Sequence, residues 1–317
     1  MMEISVVIAT RNRSEALETI SLPSLAKQDF KNFEVIIWDA SEDDKSKVVV
    51  ETFIQSHPDM MIRYFKAPRV GSASQRNDAV KVANGEIIFF IDDDSEVSQD
   101  GIFSLNEAFE DESVFGVGLP LKKLKNNKEK NFSFRSKMSK IYSIIFSLPR
   151  EWKNRKVMLS GWNIGPSYNH EKFGEAEWLS GCSMAYRKEL FDKFSFDERL
   201  QKFGGYALAE DVQFSHRILR NKKKLIITEK GFIIHHEAMG ERLENEKVFS
   251  ARIYNRFIVW KTSIFPYNRF SAIVYLWSLI GELSKFYLMG IIRGDKRRLK
   301  GTSIGLKAIF DEIARGR

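Results

Sequence analysis

Short apolar runs alternate with helix-period stretches along residues 4–91. Ile4-Ser5-Val6-Val7-Ile8-Ala9-Thr10 has the near-continuous apolar character of a strand covered on both faces, and residues 33–38, 61–65 and 86–91 repeat it. Between them, Ser14 is placed to cap a helix carrying Leu17, Ile20 and Leu25 on one face. Further helices are expected over 45–55 and 74–83, the latter leading through the turn Asn84-Gly85 into the fourth run. Such alternation predicts an α/β protein with a mostly parallel central sheet flanked by helices.

The later pattern is different. Residues 122–156 are rich in Lys, Asn and Ser with interleaved aromatic and aliphatic side chains such as Phe132, Phe134, Met138, Tyr142 and Phe146. Mixed α/β character resumes near 157: residues 177–186 read as a strand pair or strand-turn, and 208–220 as a helix with Phe214, Ile218 and Leu219 on one face. Residues 225–228 and 231–235 are expected to form a short hairpin. From about 247 the pattern is helical to the end. Within 270–292, Phe270, Ile273, Trp277, Ile280, Leu288 and Ile291 recur at helical spacing opposite Ser271, Ser278, Glu282 and Lys285. The two mid-run charges argue against a simple membrane span. A second amphipathic helix follows Lys296-Arg297-Arg298, with Leu306, Ile309, Phe310 and Ile313 on one side.

Charge sharpens this division. The 317-residue chain has a net charge of +8, yet residues 1–121 hold 11 basic and 22 acidic side chains. Residues 122–156 hold 12 basic against 2 acidic, and 285–317 hold 9 against 3. An acidic front half joined to two basic patches argues against a nucleic-acid binder. A 43% apolar composition excludes disorder. The single Cys182 excludes a disulfide framework and fits a reducing, cytoplasmic compartment. Met1-Met2-Glu3 running into a strand gives no expectation of a signal peptide.

Ligands of parallel sheets bind at the carboxyl ends of the strands, where this chain carries Thr10-Arg11-Asn12-Arg13, Asp39 and Asp92-Asp93-Asp94. No G-x-G-x-x-G or P-loop motif follows the strands, which counts against a dinucleotide cofactor or a P-loop nucleotide site. Adjacent carboxylates need a compensating cation or donor, and hard divalent ions favour oxygen ligands that a diphosphate completes. The alternative is a solvated acidic loop capping the next helix. Asp39 can accept from a nucleobase N–H or simply turn the chain, and Arg76, near a helix start, can meet phosphate or solvent. Glu210-Asp211, introduced by Gly204-Gly205, can supply a general base or merely an acidic first helical turn. His235-His236 can complete a metal shell, touch a diphosphate or remain solvated.

In order and spacing these segments resemble the GT-A glycosyltransferases of family 2. The resemblance rests on residues 5–13, Asp39-Ala40-Ser41, Gly71 with Arg76-Asn77, Ile91-Asp92-Asp93-Asp94, Trp178-Leu179-Ser180-Gly181-Cys182, Glu210-Asp211 and the histidine pair, over residues 4 to about 240. It implies an inverting transfer from a UDP- or GDP-linked sugar to a hydroxyl of a glycan or lipid-linked acceptor, with Mn²⁺ or Mg²⁺. Thr10, Arg13, Asp39, Arg76, Asp92 and Asp93 would bind the nucleotide, with Asp93 facing the ribose. Asp94 would hold the metal with His235, His236 being second choice. Asp211 would be the general base, and Trp178, Gly181, Cys182 and Glu210 would shape the donor-sugar and acceptor pocket. The implied organisation is a nucleotide-sugar half over 1–120, an acceptor half over 121–246 with the basic insertion 122–156, and C-terminal helices over 247–317. Asp39-Ala40-Ser41-Glu42 departs from the family's Asp-Asp-Gly-Ser, so a second acidic contact to the base is missing.

Two other readings share parts of this pattern: a nucleotidyltransferase, against which the late Glu210-Asp211 motif counts, and a non-catalytic protein binding sugar nucleotides or polyanions. For the tail, one expectation is packing on the catalytic domain or on another subunit of a homo-oligomer. The other is docking on an anionic membrane through 122–156 and 270–317, peripheral on the cytoplasmic face.

Overall fold

The structure, a computed structural model, describes residues 3–122, 141–148, 155–165, 173–205, 207–236, 245–292 and 294–315. Phe132, Phe134 and Met138, with most of the basic stretch, lie outside the described residues.

Strand β1 (Ile4–Thr10) is followed by a helical segment α1 over 14–26, β2 (Phe33–Asp39), α2 (Lys45–Ser56), β3 (Met61–Lys66), α3 (Ser72–Val82) and β4 (Ile87–Ile91). Then come β5 (Ser95–Val97), α4 (Gly101–Phe109), β6 (Val114–Gly118), β7 (Leu121–Lys122) and a short helix α5 over 141–145. The chain continues through β8 (Lys156–Val157), β9 (Asn163–Ile164), β10 (Gly174–Glu175), β11 (Met184–Arg187), α6 (Glu210–Arg220), β12 (Lys224–Ile227) and β13 (Ile233–His235). It closes on α7 (Asn245–Ser263), α8 (Ser271–Ile292) and α9 (Lys296–Arg315).

The main sheet has eight strands in the order β10-β12-β6-β11-β4-β1-β2-β3. Parallel pairing links β3, β2, β1 and β4, and also β12 with β6, while β11 runs antiparallel between β4 and β6. Successive side chains alternate between the two faces. Ile4, Val6 and Ile8 therefore join one apolar core, and Val7 joins the other with Ile36, Ile88 and Phe90. In the second core Phe196 and Phe214 stack, and Tyr186 meets Phe214 edge-on. Register sets Thr10 beside Asp39 and Ile8 beside Ile91, so all three polar strand ends emerge together. Strand order reverses at β1, whose neighbours are β2 and β4. This reversal is a topological switch point, beside which open α/β sheets bind ligands.

Several local expectations change. The 14–26 helix begins at Ser14 with Arg13 at the cap position, without a side-chain cap, and passes through a π-helical stretch at Leu17–Ser21. The segment 177–186 is a strand-turn: a Ser180–Ser183 bridge leads into β11. Residues 225–228 and 231–235 do not pair as a hairpin. Instead β12 lies parallel to β6 and β13 parallel to β7, so 224–235 follows 114–122 from the main sheet into a small sheet ordered β5-β13-β7. The helix α6 supplies the connection that brings a parallel strand back to β6.

Tight packing constrains the edge of β1. A Cβ on Gly85 would lie 2.5 Å from the Ser5 amide nitrogen and 2.7 Å from the Ile4 carbonyl carbon. Gly85→Ala is expected to lower stability by about 1–3 kcal/mol, read as a reduced urea midpoint without a changed slope.

The C-terminal helices pack on the α/β layer, sharing the core of Val7, Ile36 and Phe90 through Ile253, Tyr275 and Ala308. Gly301 and Gly305 bring α9 against α7 so closely that a Cβ would sit 2.3 Å from the Glu246 carbonyl oxygen and 2.8 Å from that of Ser250. Helix α8 packs with its polar side inward, opposite to the usual arrangement of an amphipathic helix on a domain. Of its polar side, Ser271, Ser278 and Glu282 are buried and Lys285 is exposed, while Ile273, Leu276, Ile280, Leu288 and Ile291 are exposed. The reason is chemical complementarity: Trp260 Nε1 donates to Ser271 at 3.0 Å, Arg256 donates to Ser278 at 2.9 Å, and Arg252 meets Glu282 at 3.0 Å. The polar stripe has partners on α7 that water does not need to supply.

Candidate functional site

Three strand ends build the first wall. Thr10 Oγ1 donates to Asp93 at 2.7 Å, and Arg13 Nη1 reaches Asp93 at 3.0 Å and Asp94 at 2.8 Å. Asp93 and Asp94 are almost completely buried, whereas Asp92 is partly open. Burial pushes the Asp93 carboxyl up to about 7, against the pull of Arg13 and of the Thr10 hydroxyl. Arg13 is held in its charged form above the ordinary guanidinium value: burial opposes this, but the Asp93 and Asp94 carboxylates outweigh it.

The small sheet adds an imidazole. Pairing of β13 with β5 sets His235 beside Ser95, one residue from the acidic triplet. His235 Nε2 lies 3.0 Å from Asp94 Oδ1 and 3.8 Å from Asp92 Oδ2. Ligand atoms of Asp92, Asp94 and His235 all lie within 4.8 Å of one another. Two carboxylate oxygens and one imidazole nitrogen this close together could hold a metal ion. His236 turns the other way, 2.7 Å from Glu96, while its amide donates to the Asp94 carbonyl. Strand alternation separates the two histidines.

The opposite wall comes from the start of α6. Gly204 and Gly205 take φ of +100° and +83°, and Ala209 enters the left-handed region at +67° immediately before Glu210. A non-glycine residue there is uncommon and marks a backbone held by its surroundings. Asp211 accepts from the Gly181 amide and from the Val212 amide, each at 2.8 Å. Burial raises the Asp211 pKa, opposed by those amides and by Arg76. Arg76 joins the walls: it pairs with Glu210, meets Asp92 at 3.1 Å and donates to the Gly181 carbonyl at 3.4 Å.

Asp39 sits fully buried at the third strand end, where its carboxylate accepts from the Ser41 amide and hydroxyl and, at 2.7 Å, from Tyr64. Trp178 is buried against Val212 and Val259, and its indole donates to the Ile164 carbonyl. Cys182 points into the apolar core, and burial pushes its thiol up to about 12, so it is a neutral packing group. Sequence reasoning passed over Tyr64 and Gln75. The buried Gln75 side chain ties the ends of β1 and β2 together by donating to the Thr10 and Trp38 carbonyls. A polar residue beside Arg76 on the inner helix face was the available signal.

Residues 5–194 match the sequence model of glycosyl transferase family 2. The chain belongs to this family. Its fold is GT-A. The matched span includes the acidic triplet, Arg76 and Gly181 and ends before Glu210, Asp211 and His235. Over 135 residues the chain is 30% identical to the GalNAc(5)-diNAcBac-PP-undecaprenol β-1,3-glucosyltransferase of Campylobacter jejuni, covering 42% of this chain and 43% of that one. It is 27% identical over 261 residues to the chondroitin synthase of Pasteurella multocida, covering 77% of this chain and 26% of the relative. The chain thus spans less than half the length of either. Among solved structures, residues 1–349 of Staphylococcus aureus TarS with UDP-GlcNAc superpose with a TM-score of 0.63 at 17% identity, covering 98% of this chain and 80% of that one. A mannosyltransferase of Pyrobaculum calidifontis with GDP-Man and Mn²⁺ gives 0.53 at 16% identity, covering 97% and 85%. At these identities the structural likeness establishes the shared fold.

Proposed function

We propose that this family 2 glycosyltransferase is metal-dependent and inverting, moving a sugar from a UDP- or GDP-linked donor to a hydroxyl of a glycan or lipid-linked acceptor. The observation that carries the proposal is the contact chain from Asp94 and His235 through Asp92 and Arg76 to Gly181 and Asp211. It brings Asp92, Asp94 and His235 onto one side of the site and the partly buried Asp211 carboxylate onto the other. The ligands held by the structural neighbours, UDP-GlcNAc in one and GDP-Man with Mn²⁺ in the other, support the donor class.

Asp92, Asp94 and His235 would hold the ion, whose charge would neutralise that of the departing diphosphate. Asp92 thereby joins the metal set in addition to its place near the nucleotide. Thr10, Arg13, Asp39 and Arg76 remain the proposed nucleotide contacts, with Asp93 toward the ribose. The late carboxylate does the proton transfer. As the acceptor oxygen forms its bond to the anomeric carbon, Asp211 takes the hydroxyl proton and the bond to the diphosphate oxygen breaks. Attack opposite the leaving group inverts the anomeric configuration. Trp178, buried behind Val212, supports the Asp211 wall, and Gly181 keeps the space in front of it open. Residues 1–120 would contribute mainly to donor binding and 121–246 mainly to acceptor binding. The cytoplasmic face of an anionic membrane is the proposed location, with 122–156 and 270–317 as the segments that meet it.

The raised pKa of Asp211 sets the pH dependence. A base acts only when deprotonated, so kcat/KM should fall on the acid side at a pH above the usual carboxylate range of about 4. A pH–rate profile of nucleoside-diphosphate release tests this. The residual activity of Asp211→Asn should lack that limb; an unchanged limb would assign it to another group, such as Asp93.

A further inference from the structure

We infer that the outward face of α8, together with α5, lies flat in the headgroup–acyl boundary of an anionic bilayer, with the catalytic domain above it. This deepens the membrane placement proposed above and rests on it. It identifies the contacting face and its orientation.

Helix α8 is long and apolar enough to cross a membrane: 22 residues at about 1.5 Å each match a hydrocarbon core of about 30 Å. Its contacts oppose crossing. Glu282 is 1% exposed and shared between Arg252, at 3.0 Å, and Arg256, at 3.3 Å, while Ser271 and Ser278 are bonded to α7. Leaving the domain would strand these groups in hydrocarbon, a cost that buried ionic groups do not sustain unpaired. The apolar side has no such partner among the described residues. Ile273, Leu276, Ile280, Leu288 and Ile291 are each more than half exposed. They recur at helical spacing along one stripe. Helix α5 extends it sideways: Trp277 stacks on Phe146 and donates to the Ile145 carbonyl, and Tyr142 donates to the Gly281 carbonyl. This seats exposed Ile141, Ile144 and Ile145 beside the stripe.

Charge decides the occupant. Lys285 on α8 and Lys296 and Arg297 at the start of α9 are exposed near the C-terminal half of the stripe, Lys300 pairs with Glu246 at 3.2 Å, and Glu282, the acid on the opposite side of α8, is buried. A two-fold contact between copies would bring these cations toward their own counterparts. An anionic leaflet is attracted by the same cations, and an apolar face with aromatic and basic neighbours is the pattern of an interfacial helix.

Vesicles of 70% phosphatidylcholine and 30% phosphatidylglycerol, with the full chain, test this. Wild type should sediment with them at low salt, less at high salt. Ile280→Glu/Leu288→Glu should lower the partition coefficient at least tenfold while keeping the wild-type thermal shift with Mn²⁺ and nucleoside diphosphate. Both positions are solvent-exposed, so folding is preserved. Because Cys182 is buried, Leu288→Cys accepts a polarity-sensitive dye at one position, and its emission should shift to the blue on vesicle addition. Vesicle binding that leaves both the dye and the double variant unaffected would overturn the α8 assignment but keep the membrane placement. Absence of vesicle binding, with a concentration-dependent dimer abolished by the double substitution, would overturn both and make the face a self-interface. Loss of the nucleotide response in wild type would instead count against the transferase proposal.

Discussion

Asp211→Asn should bind donor as wild type does and turn over about 10²–10⁴-fold more slowly, the range general acid–base catalysis supplies. The amide keeps the shape but only one acceptor oxygen, whereas the Gly181 and Val212 amides each hold a different oxygen of the native carboxylate at 2.8 Å, so one of these two bonds is lost. It cannot take the acceptor proton. Asp211 is separated from the acidic triplet by Gly181 and Arg76, so nucleoside-diphosphate binding with Mn²⁺, read by thermal shift, should move little. Loss of kcat with retained binding is the signature of a group acting in the transition state. Equal loss of binding and turnover would make Asp211 a structural member of the pocket. Unimpaired turnover would place the base elsewhere.

The second large effect concerns His235 and Asp94. Asp94 divides its carboxylate between His235 at 3.0 Å and Arg13 at 2.8 Å. His235→Ala removes the nitrogen donor of the set, and Asp94→Ala removes its most buried carboxylate. Each should weaken Mn²⁺-dependent nucleotide binding by more than the roughly 10–100-fold that loss of an outer partner costs at a metal site. His236→Ala, whose ring meets Glu96 at 2.7 Å, should leave that binding within about twofold, which is below the resolved range for outer partners. Titration of Mn²⁺ at saturating UDP or GDP separates the variants. Equal effects of the two histidines would contradict the assignment.

The strand ends were legible because their apolar runs are long and end abruptly in polar residues. Thr10, Asp39 and Asp92 fall on one sheet edge for that reason. Partnership was less legible than existence: 225–228 and 231–235 are strands, but alternation does not say that each extends a strand from 114–122. The same limit applies to His235 against His236, since only the register with β5 decides which ring faces Asp94. Helix α8 shows the same limit. A helical wheel separates Ser271, Ser278 and Glu282 from the apolar stripe but does not reveal that Arg252, Arg256 and Trp260 wait for them on α7. Helix α4 and strands β5 to β7 were not anticipated, although β5 and β7 enclose the strand that delivers His235.

The most direct test is the thermal stability of wild type, Asp94→Ala and Asp211→Asn with UDP or GDP, each with and without Mn²⁺. Binding to the native state raises apparent stability by an amount set by concentration over affinity. The account predicts stabilisation of wild type by one of these nucleotides only with Mn²⁺, retention in Asp211→Asn and loss in Asp94→Ala. Stabilisation of Asp94→Ala equal to wild type, or a nucleotide effect indifferent to Mn²⁺, would contradict it.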